Sequence, residues 1–158
     1  MLINMSANLE LELIFRILLA CFLGGIIGWE RERHGIYSAG IRTYSAIAIG
    51  ACTFGIVAIH LSSSDPGHIA ANVITGIGFL GGGIIFRQGS NVTGVTTAAT
   101  LWATAAIGLT AAFGMYAVSL CTTILIYLLL YLPRLSWWHI ISHPRHHHIV
   151  PTKIEDKV

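Results

Sequence analysis

Charged side chains at the ends of the apolar stretches are the residues of this sequence best placed to carry function. Glu30 and Glu32 follow the first apolar stretch, Arg42 opens the second, and Arg87 follows the third. Ionisable groups in or beside a membrane are functional candidates by default, because their burial in lipid is costly. We therefore expect Glu30 or Glu32 to pair with Arg42 or Arg87 as an essential cluster. The alternative is that these charges are solvated at the helix ends.

Other charged residues near these stretches receive a structural interpretation. We expect Arg31 and Arg33 to be solvated, with their aliphatic stems along the apolar surface. Glu12 lies four residues before Arg16, a spacing at which opposite charges pair on one helix face. No carboxylate falls in the middle of an apolar stretch, whereas dehydrated Mg²⁺ usually takes carboxylate ligands. The sequence thus offers no obvious route for dehydrated Mg²⁺, although a hydrated ion could use backbone carbonyls.

A second group of candidates surrounds the third apolar stretch. Asp65 precedes it in a Pro-Gly turn, Asn72 lies near its start, and Thr97 opens the next stretch. Five glycines crowd its second half, at Gly76, Gly78, Gly81, Gly82 and Gly83. Small residues let membrane helices approach closely, which favours a tightly packed bundle. The alternative is a bent or broken helix whose exposed backbone lines an ion or substrate site.

The C-terminal tail concentrates histidines. Five lie within ten residues, at His139, His143, His146, His147 and His148. Imidazoles at this density can bind Zn²⁺, Ni²⁺ or Cu²⁺. Pro144 breaks the helical spacing between the second and third of them. We therefore favour a solvated, pH-sensitive tail over a metal site.

The sequence lacks the common motifs of catalysis. The nucleophile elbow, the zinc-protease helix, the P-loop and the dinucleotide fingerprint are all missing. Cys21, Cys52 and Cys121 are odd in number, and each lies in an apolar stretch, which indicates small apolar side chains rather than disulfides. We expect no enzymatic activity and no cofactor.

The composition sets the class of protein that must position these residues. Of the 158 residues, 54% are hydrophobic and only 10% are charged, and the mean hydropathy is +0.73. Soluble domains carry about a quarter charged residues. The net charge of +2 is too small to indicate a nucleic-acid partner. A polytopic membrane protein in contact with the lipid bilayer is the class that fits.

Apolar runs of membrane-spanning length predict an all-α bundle of about five spans. They cover residues 13–29, 41–61, 69–86, 95–113 and 115–132. Residues 1–132 would form the membrane domain and 133–158 a cytoplasmic tail. Basic residues favour an external N-terminus and a cytoplasmic C-terminus. Eight Lys and Arg residues then fall on the inner side, at Arg31, Arg33, Arg42, Arg87, Arg134, Arg145, Lys153 and Lys157.

The first two spans resemble the next two. The motif Phe-Leu-Gly-Gly occurs at residues 22–25 and again at 79–82, and each copy leads into a loop containing arginine. Gly40 and Gly94 end these loops in similar contexts. The pattern indicates a parallel internal repeat of spans 1–2 and 3–4, against the alternative that glycine-rich spans look alike by composition.

Four motifs, taken in order, resemble the MgtC/SapB family of bacterial membrane proteins. They are Gly-Trp-Glu-Arg-Glu at 28–32, Ala-Gly-Ile-Arg-Thr at 39–43, Gly-Ile-Gly-Phe-Leu-Gly-Gly-Gly at 76–83, and Thr-Thr-Ala-Ala-Thr-Leu-Trp-Ala-Thr-Ala-Ala-Ile-Gly at 96–108. The likeness extends over about residues 13–132. Family members proper carry a cytoplasmic ACT-like domain after the spans, and the 26 residues after Leu132 are too few for one. We therefore expect a short form.

The resemblance implies a function in the bacterial inner membrane. Family membership implies a role in magnesium homeostasis, in growth at low Mg²⁺ and, in pathogens, in virulence. It also implies regulation of the F-type ATP synthase or of the membrane potential, with that enzyme as a candidate protein partner. The glycine-rich faces favour a homo-oligomer. The alternative function is transport of a cation, such as Mg²⁺, or of a small solute.

Overall fold

Across the residues that the structure describes, the chain is a bundle of five α-helices, as the apolar runs predict. It is a computed structural model that describes residues 7–33, 39–61 and 66–134. The helices are α1 (Ala7–Glu32), α2 (Ile41–Leu61), α3 (Pro66–Ile84), α4 (Val95–Ala112) and α5 (Tyr116–Tyr131). A short 3-10 helix (Leu132–Arg134) follows α5, and two strands, β1 (Phe86–Gln88) and β2 (Asn91–Thr93), separate α3 from α4.

Helices α1 to α4 are long and apolar enough to cross a membrane. The bounds of α2 agree with the predicted span, whereas α1 begins at Ala7 and so is longer than the predicted stretch. Helix α5 has only 16 residues, or about 24 Å at 1.5 Å per residue. That is shorter than the hydrocarbon core of about 30 Å. The fifth predicted span is therefore an apolar helix of less than spanning length.

The connection between α3 and α4, predicted only as a loop containing arginine, is a β-hairpin. Its strands are antiparallel, with Arg87 opposite Val92, and Gly89 enters the turn with a φ of 64°. Gly94 then precedes α4 as its N-cap and has a φ of 87°, in the left-handed region that glycine adopts most easily. We call this end of the bundle, where α1 and α3 finish and α2 and α4 begin, the hairpin end.

Helix α4 is the centre of the bundle and packs against the other four helices. Of the residues of α4, Val95–Ala112, 56% are buried, compared with 6% of the residues Gly67–Ile84 in α3. The largest core cluster joins α1, α2 and α4 through fully buried side chains, among them Ile27, Tyr44 and Ile107. The interior between these three helices is therefore closed by large side chains.

Glycines allow the backbones of α1, α2 and α4 to meet. A Cβ added to Gly28 would lie 2.6 Å from the Cα of Ile41, and one added to Gly108 would lie 2.3 Å from the carbonyl oxygen of Ala48. Both distances are far below van der Waals contact, so a larger residue at either position requires backbone movement. The prediction that small residues pack these helices closely holds for this part of the bundle.

Helix α3 uses its glycines differently. It is a continuous α-helix from Pro66 to Ile84, so the predicted alternative of a break in this span is wrong. Its inner side packs on the bundle through Ala70, Val73 and Ile77, and through Gly81 against Ala98. A Cβ added to any of the other four glycines in the second half of α3 would meet nothing within 4 Å; they are Gly76, Gly78, Gly82 and Gly83. These glycines leave α3 open to its surroundings rather than tightening the bundle.

The two copies of the predicted repeat make the same contact between their helices. In the first helix pair Gly24 lies against Tyr44 of α2, and in the second Gly81 lies against Ala98 of α4. Gly24 and Gly81 are the third residues of the two Phe-Leu-Gly-Gly motifs, and Tyr44 and Ala98 each follow their loop-ending glycine by four residues. The same sequence positions therefore make the same helix contact, which supports the parallel repeat.

Candidate functional site

The predicted charged cluster lies at the hairpin end, but its members have different environments. Glu30 is buried, with 2% of its surface exposed, whereas Arg42 and Arg87 are both exposed. The carboxylate of Glu32 accepts a hydrogen bond of 3.0 Å from the backbone N–H of Ile41, at the start of α2. Glu32 thus ties the end of α1 to the beginning of α2.

Among the described residues, no ion pair joins Arg42 or Arg87 to an acid. The Nε of Arg87 donates to the carbonyl of Gly89, 3.1 Å away within its own hairpin. Glu12 and Arg16, by contrast, form an ion pair. A functional role of Glu30, Glu32, Arg42 and Arg87 stays a prediction, without a cross-bundle ion pair through either arginine among the described residues.

Arg31 is buried, although the sequence predicted a solvated side chain. Only 6% of its surface is exposed, and its Nη2 donates to the hydroxyl of Thr97 on α4 over 2.6 Å. Arg31 follows Ile27 by four residues and Gly28 by three, so it continues the buried face of α1. This spacing from Ile27 and Gly28 is the sequence signal that identifies Arg31 as buried. Arg33 is exposed, as predicted, with its guanidinium over the Trp29 ring.

The threonines of α4 form a buried polar row that continues from Arg31 into the bundle. Thr97 receives the Arg31 hydrogen bond, and the Thr100 hydroxyl lies 2.5 Å from that of Tyr44 on α2. Thr104 donates to the carbonyl of Thr100 over 2.8 Å. These hydroxyls bond their own helix or a neighbouring one. The row satisfies buried polar groups where α1, α2 and α4 meet.

A second polar cluster lies at the opposite end of the bundle. Glu12 and Arg16 form the predicted ion pair along α1. Arg16 also donates from Nη1 to the carbonyl of Ala112 (2.5 Å) and from Nε to the hydroxyl of Tyr116 (3.2 Å). Ala112 is the last residue of α4, where a positive charge favourably meets the helix dipole. The sequence did not predict this link between α1 and the α4–α5 connection.

A groove of about 690 Å³ separates α2 from α3. Asn72 and Gly76 line it from α3, and Thr43 and Gly50 line it from α2. Its remaining walls are apolar. Asn72 is exposed, so its amide is available to a partner outside the chain's own core.

The other predicted candidates lie outside the described residues. Asp65 precedes α3 in the undescribed segment 62–65, and the five tail histidines lie beyond residue 134. Across 7–33, 39–61 and 66–134, no group of three or more His, Cys, Asp or Glu residues is arranged to hold a metal ion. The solvated, pH-sensitive tail stays a prediction, with metal binding as its alternative.

The sequence profile of the MgtC family matches residues 17–136. The chain belongs to the MgtC family. It is 44% identical over 113 residues to the protein named Protein MgtC from Salmonella typhimurium strain LT2, which covers 72% of this chain and 48% of that relative. It is 46% identical over 109 residues to Protein MgtC from Brucella abortus strain 2308, which covers 68% of this chain and 45% of that relative.

The chain spans about half the length of these MgtC relatives. No solved structure matches it. The region matched to the MgtC family includes the hairpin end, with Arg31 and Thr97, and all of α3. Glu12 and Arg16 precede the matched region, so the ion pair at the opposite end lies outside it.

Proposed function

We propose that this chain is a non-enzymatic regulator in the bacterial inner membrane that supports growth when Mg²⁺ is scarce. Its membership of the MgtC family and four helices of membrane-spanning character support this assignment. The basic residues favour an external N-terminus and a cytoplasmic hairpin end. A regulator of this kind would act on another membrane protein, with the F-type ATP synthase as the candidate that the family resemblance supplies.

The observation that carries this proposal is the unpacked outer face of α3. We define the α3 outer face by its exposed small and polar residues, which are Ala71, Asn72, Thr75, Gly76, Gly78, Gly82 and Gly83. Lipid provides no hydrophobic drive for helix association, so membrane helices meet through close backbone contact and interhelical hydrogen bonds. The α3 outer face offers both along Gly78 and Gly82, and it suits contact with another helix that accommodates the exposed ring of Phe79 on the same side.

A second copy of the chain is the occupant that we propose for the α3 outer face. A two-fold axis would place the face against itself, so that each residue meets its own counterpart or a near neighbour. Asn72 can pair with its counterpart, since an amide side chain both donates and accepts hydrogen bonds. Gly78 and Gly82 are four residues apart, the spacing at which small residues allow two helices to cross closely.

Transport is the second candidate function, and the groove between α2 and α3 is the feature that favours it. The continuous α3 helix removes the broken segment on which the transport hypothesis depended. Large buried side chains fill the space between α1, α2 and α4. Any solute would therefore have to move along the groove beside Asn72, in contact with lipid or with a second copy.

Two assays on the full chain separate these functions. In a bacterium that lacks its own family member, the wild-type chain should restore growth at low Mg²⁺, and Arg42→Ala should lose that rescue if the charged cluster is essential. Purified protein in liposomes should show no Mg²⁺ or proton flux above empty liposomes, while ATP-driven proton pumping in inverted vesicles should fall when the protein is present. Flux that depends on the protein would instead establish the transporter.

A further inference from the structure

A cavity of about 980 Å³ opens at the hairpin end, between the last turn of α1, the hairpin, the first turn of α4 and the end of α5. Its polar wall contains Arg31, Thr96 and Thr97. Its apolar wall includes Phe86, Val92 and Leu129. The cavity therefore combines one strong positive charge and several hydroxyls with a hydrophobic surface.

Arg31 has more hydrogen-bonding capacity than the described residues use. A guanidinium carries five N–H donors. Among the described residues the Arg31 side chain makes one hydrogen bond, from Nη2 to the hydroxyl of Thr97. The buried Nε has no acceptor. In the part of the chain that the structure describes, no carboxylate forms an ion pair with Arg31. Glu30, although buried next to it in sequence, does not line the cavity. Burying a charge with so few partners is costly, and an anion against the part of the guanidinium that lines the cavity would offset part of that cost.

The beginning of α4 adds a second, independent attraction for an anion. The 18-residue helix starts at Val95, and its N-cap is Gly94, which has no side chain to cap the first turn. The first backbone N–H groups of a helix have no partner within the helix and carry the positive end of its dipole. The residues that carry these groups, Gly94 to Thr97, line the same cavity. Helix N-termini of this kind bind phosphate in many proteins.

We propose that this cavity binds a phosphate group, held by the Arg31 guanidinium, the first-turn N–H groups of α4 and the hydroxyl of Thr96. An arginine fork and backbone N–H groups together are a strong arrangement for phosphate oxygens. The apolar wall beside them fits the acyl chain of a phospholipid whose headgroup supplies the phosphate. Free phosphate shares the same recognition chemistry, so the experiment separates the two sources. The site depends neither on the orientation of the chain nor on its self-association.

Binding to the purified full chain in uncharged detergent tests the proposal by calorimetry. The probes are dioctanoyl phosphatidylglycerol, inorganic phosphate, and dioctanoylglycerol, which has the same acyl chains without a phosphate. Wild-type protein should bind the phosphatidylglycerol, and Arg31→Gln should weaken that binding by about ten-fold or more, since a hydrogen bond to a charged group contributes about 1.5–3 kcal/mol. The matched control is Arg33→Gln, which removes an exposed guanidinium from the same helix end and should leave the affinity unchanged.

The three probes distinguish a free phosphate from a lipid headgroup as the ligand. Binding of inorganic phosphate at comparable affinity would identify a free phosphate as the ligand, and binding of the phosphatidylglycerol alone would identify a lipid headgroup. The proposal is wrong if neither phosphate probe binds, if dioctanoylglycerol binds as well as the phosphatidylglycerol, or if Arg31→Gln and Arg33→Gln behave alike.

Two further variants keep the test decisive if Arg31→Gln does not fold. Arg31→Lys retains the buried charge but loses the planar fork, and it should bind the phosphate probe several-fold more weakly. Thr96→Val removes an exposed hydroxyl of the same turn, leaving Arg31 and its partner Thr97 in place, and should weaken binding by about two- to ten-fold. Wild-type affinity in both variants would overturn the proposal.

Discussion

Gly108→Ala should destabilise the bundle by about 2–3 kcal/mol although it adds a single methyl group. The new Cβ would lie 2.3 Å from the carbonyl oxygen of Ala48 and 2.9 Å from the Cβ of Ala51. Both contacts involve α2 backbone or a Cβ fixed to it, so no side-chain rotation can relieve them. Overpacking in a core typically costs about 1–3 kcal/mol, and separating α2 from α4 would also loosen the packing of the central cluster. This cost exceeds the helix-propensity gain of up to about 1 kcal/mol.

Thermal unfolding in detergent measures this effect, with Gly50→Ala as the matched control. Gly50 is also within a helix and outside the α3 outer face, and a Cβ there meets nothing within 4 Å. We therefore expect Gly50→Ala to melt at or slightly above the wild-type temperature, and Gly108→Ala to melt well below it. Equal melting temperatures for the two variants would mean that α2 and α4 do not approach as closely as described.

The double substitution Gly78→Leu/Gly82→Leu should abolish self-association and the rescue of growth at low Mg²⁺ while leaving the fold intact. Two leucines on the α3 outer face would hold a neighbouring helix too far away for backbone contact. They face open space within the chain itself, so internal packing should not change. The loss should therefore appear in the oligomeric state and in the growth assay, while the helical content measured by circular dichroism should stay that of the wild type.

Light scattering of the detergent-solubilised protein reports the oligomeric state. The control variant is Ala117→Leu, which enlarges an exposed residue of the peripheral helix α5 and should behave as wild type in both assays. A Gly78→Leu/Gly82→Leu protein that still self-associates and still restores growth would remove the α3 outer face from the proposed function. Self-association lost with growth retained would separate the oligomer from the regulatory role.

The sequence predicted the helices well and the direction of their faces poorly. Long apolar runs bounded by charges, glycine and proline identify α2 to its exact ends. They cannot indicate which side of α3 faces the bundle, because a span that is apolar all round carries little periodic signal. Gly81 and Gly82 are adjacent in sequence, yet one packs on Ala98 and the other lies open. That difference depends on where α4 lies, which only the three-dimensional arrangement supplies.

The charged residues illustrate the same limit. The Glu12–Arg16 pair was predictable because both partners share one helix and their spacing fixes their distance. The Arg31–Thr97 hydrogen bond joins residues 66 positions apart, and the motif around Arg31 suggests only a solvated helix end. The β-hairpin was missed for a further reason: strands of three residues are too short for alternation to be recognised.

Cysteine cross-linking along α3 in native membranes is the most direct test of the central claim that the α3 outer face meets a second copy. In a chain whose three native cysteines are replaced by alanine, single cysteines at Ala71, Thr75, Gly78 and Gly82 should form disulfide-linked dimers, since a disulfide requires Cα atoms within about 7 Å. Cysteines at Val73 and Ile77, which pack on the bundle, should not. Equal cross-linking at inner and outer positions, or none at any outer position, would contradict the account.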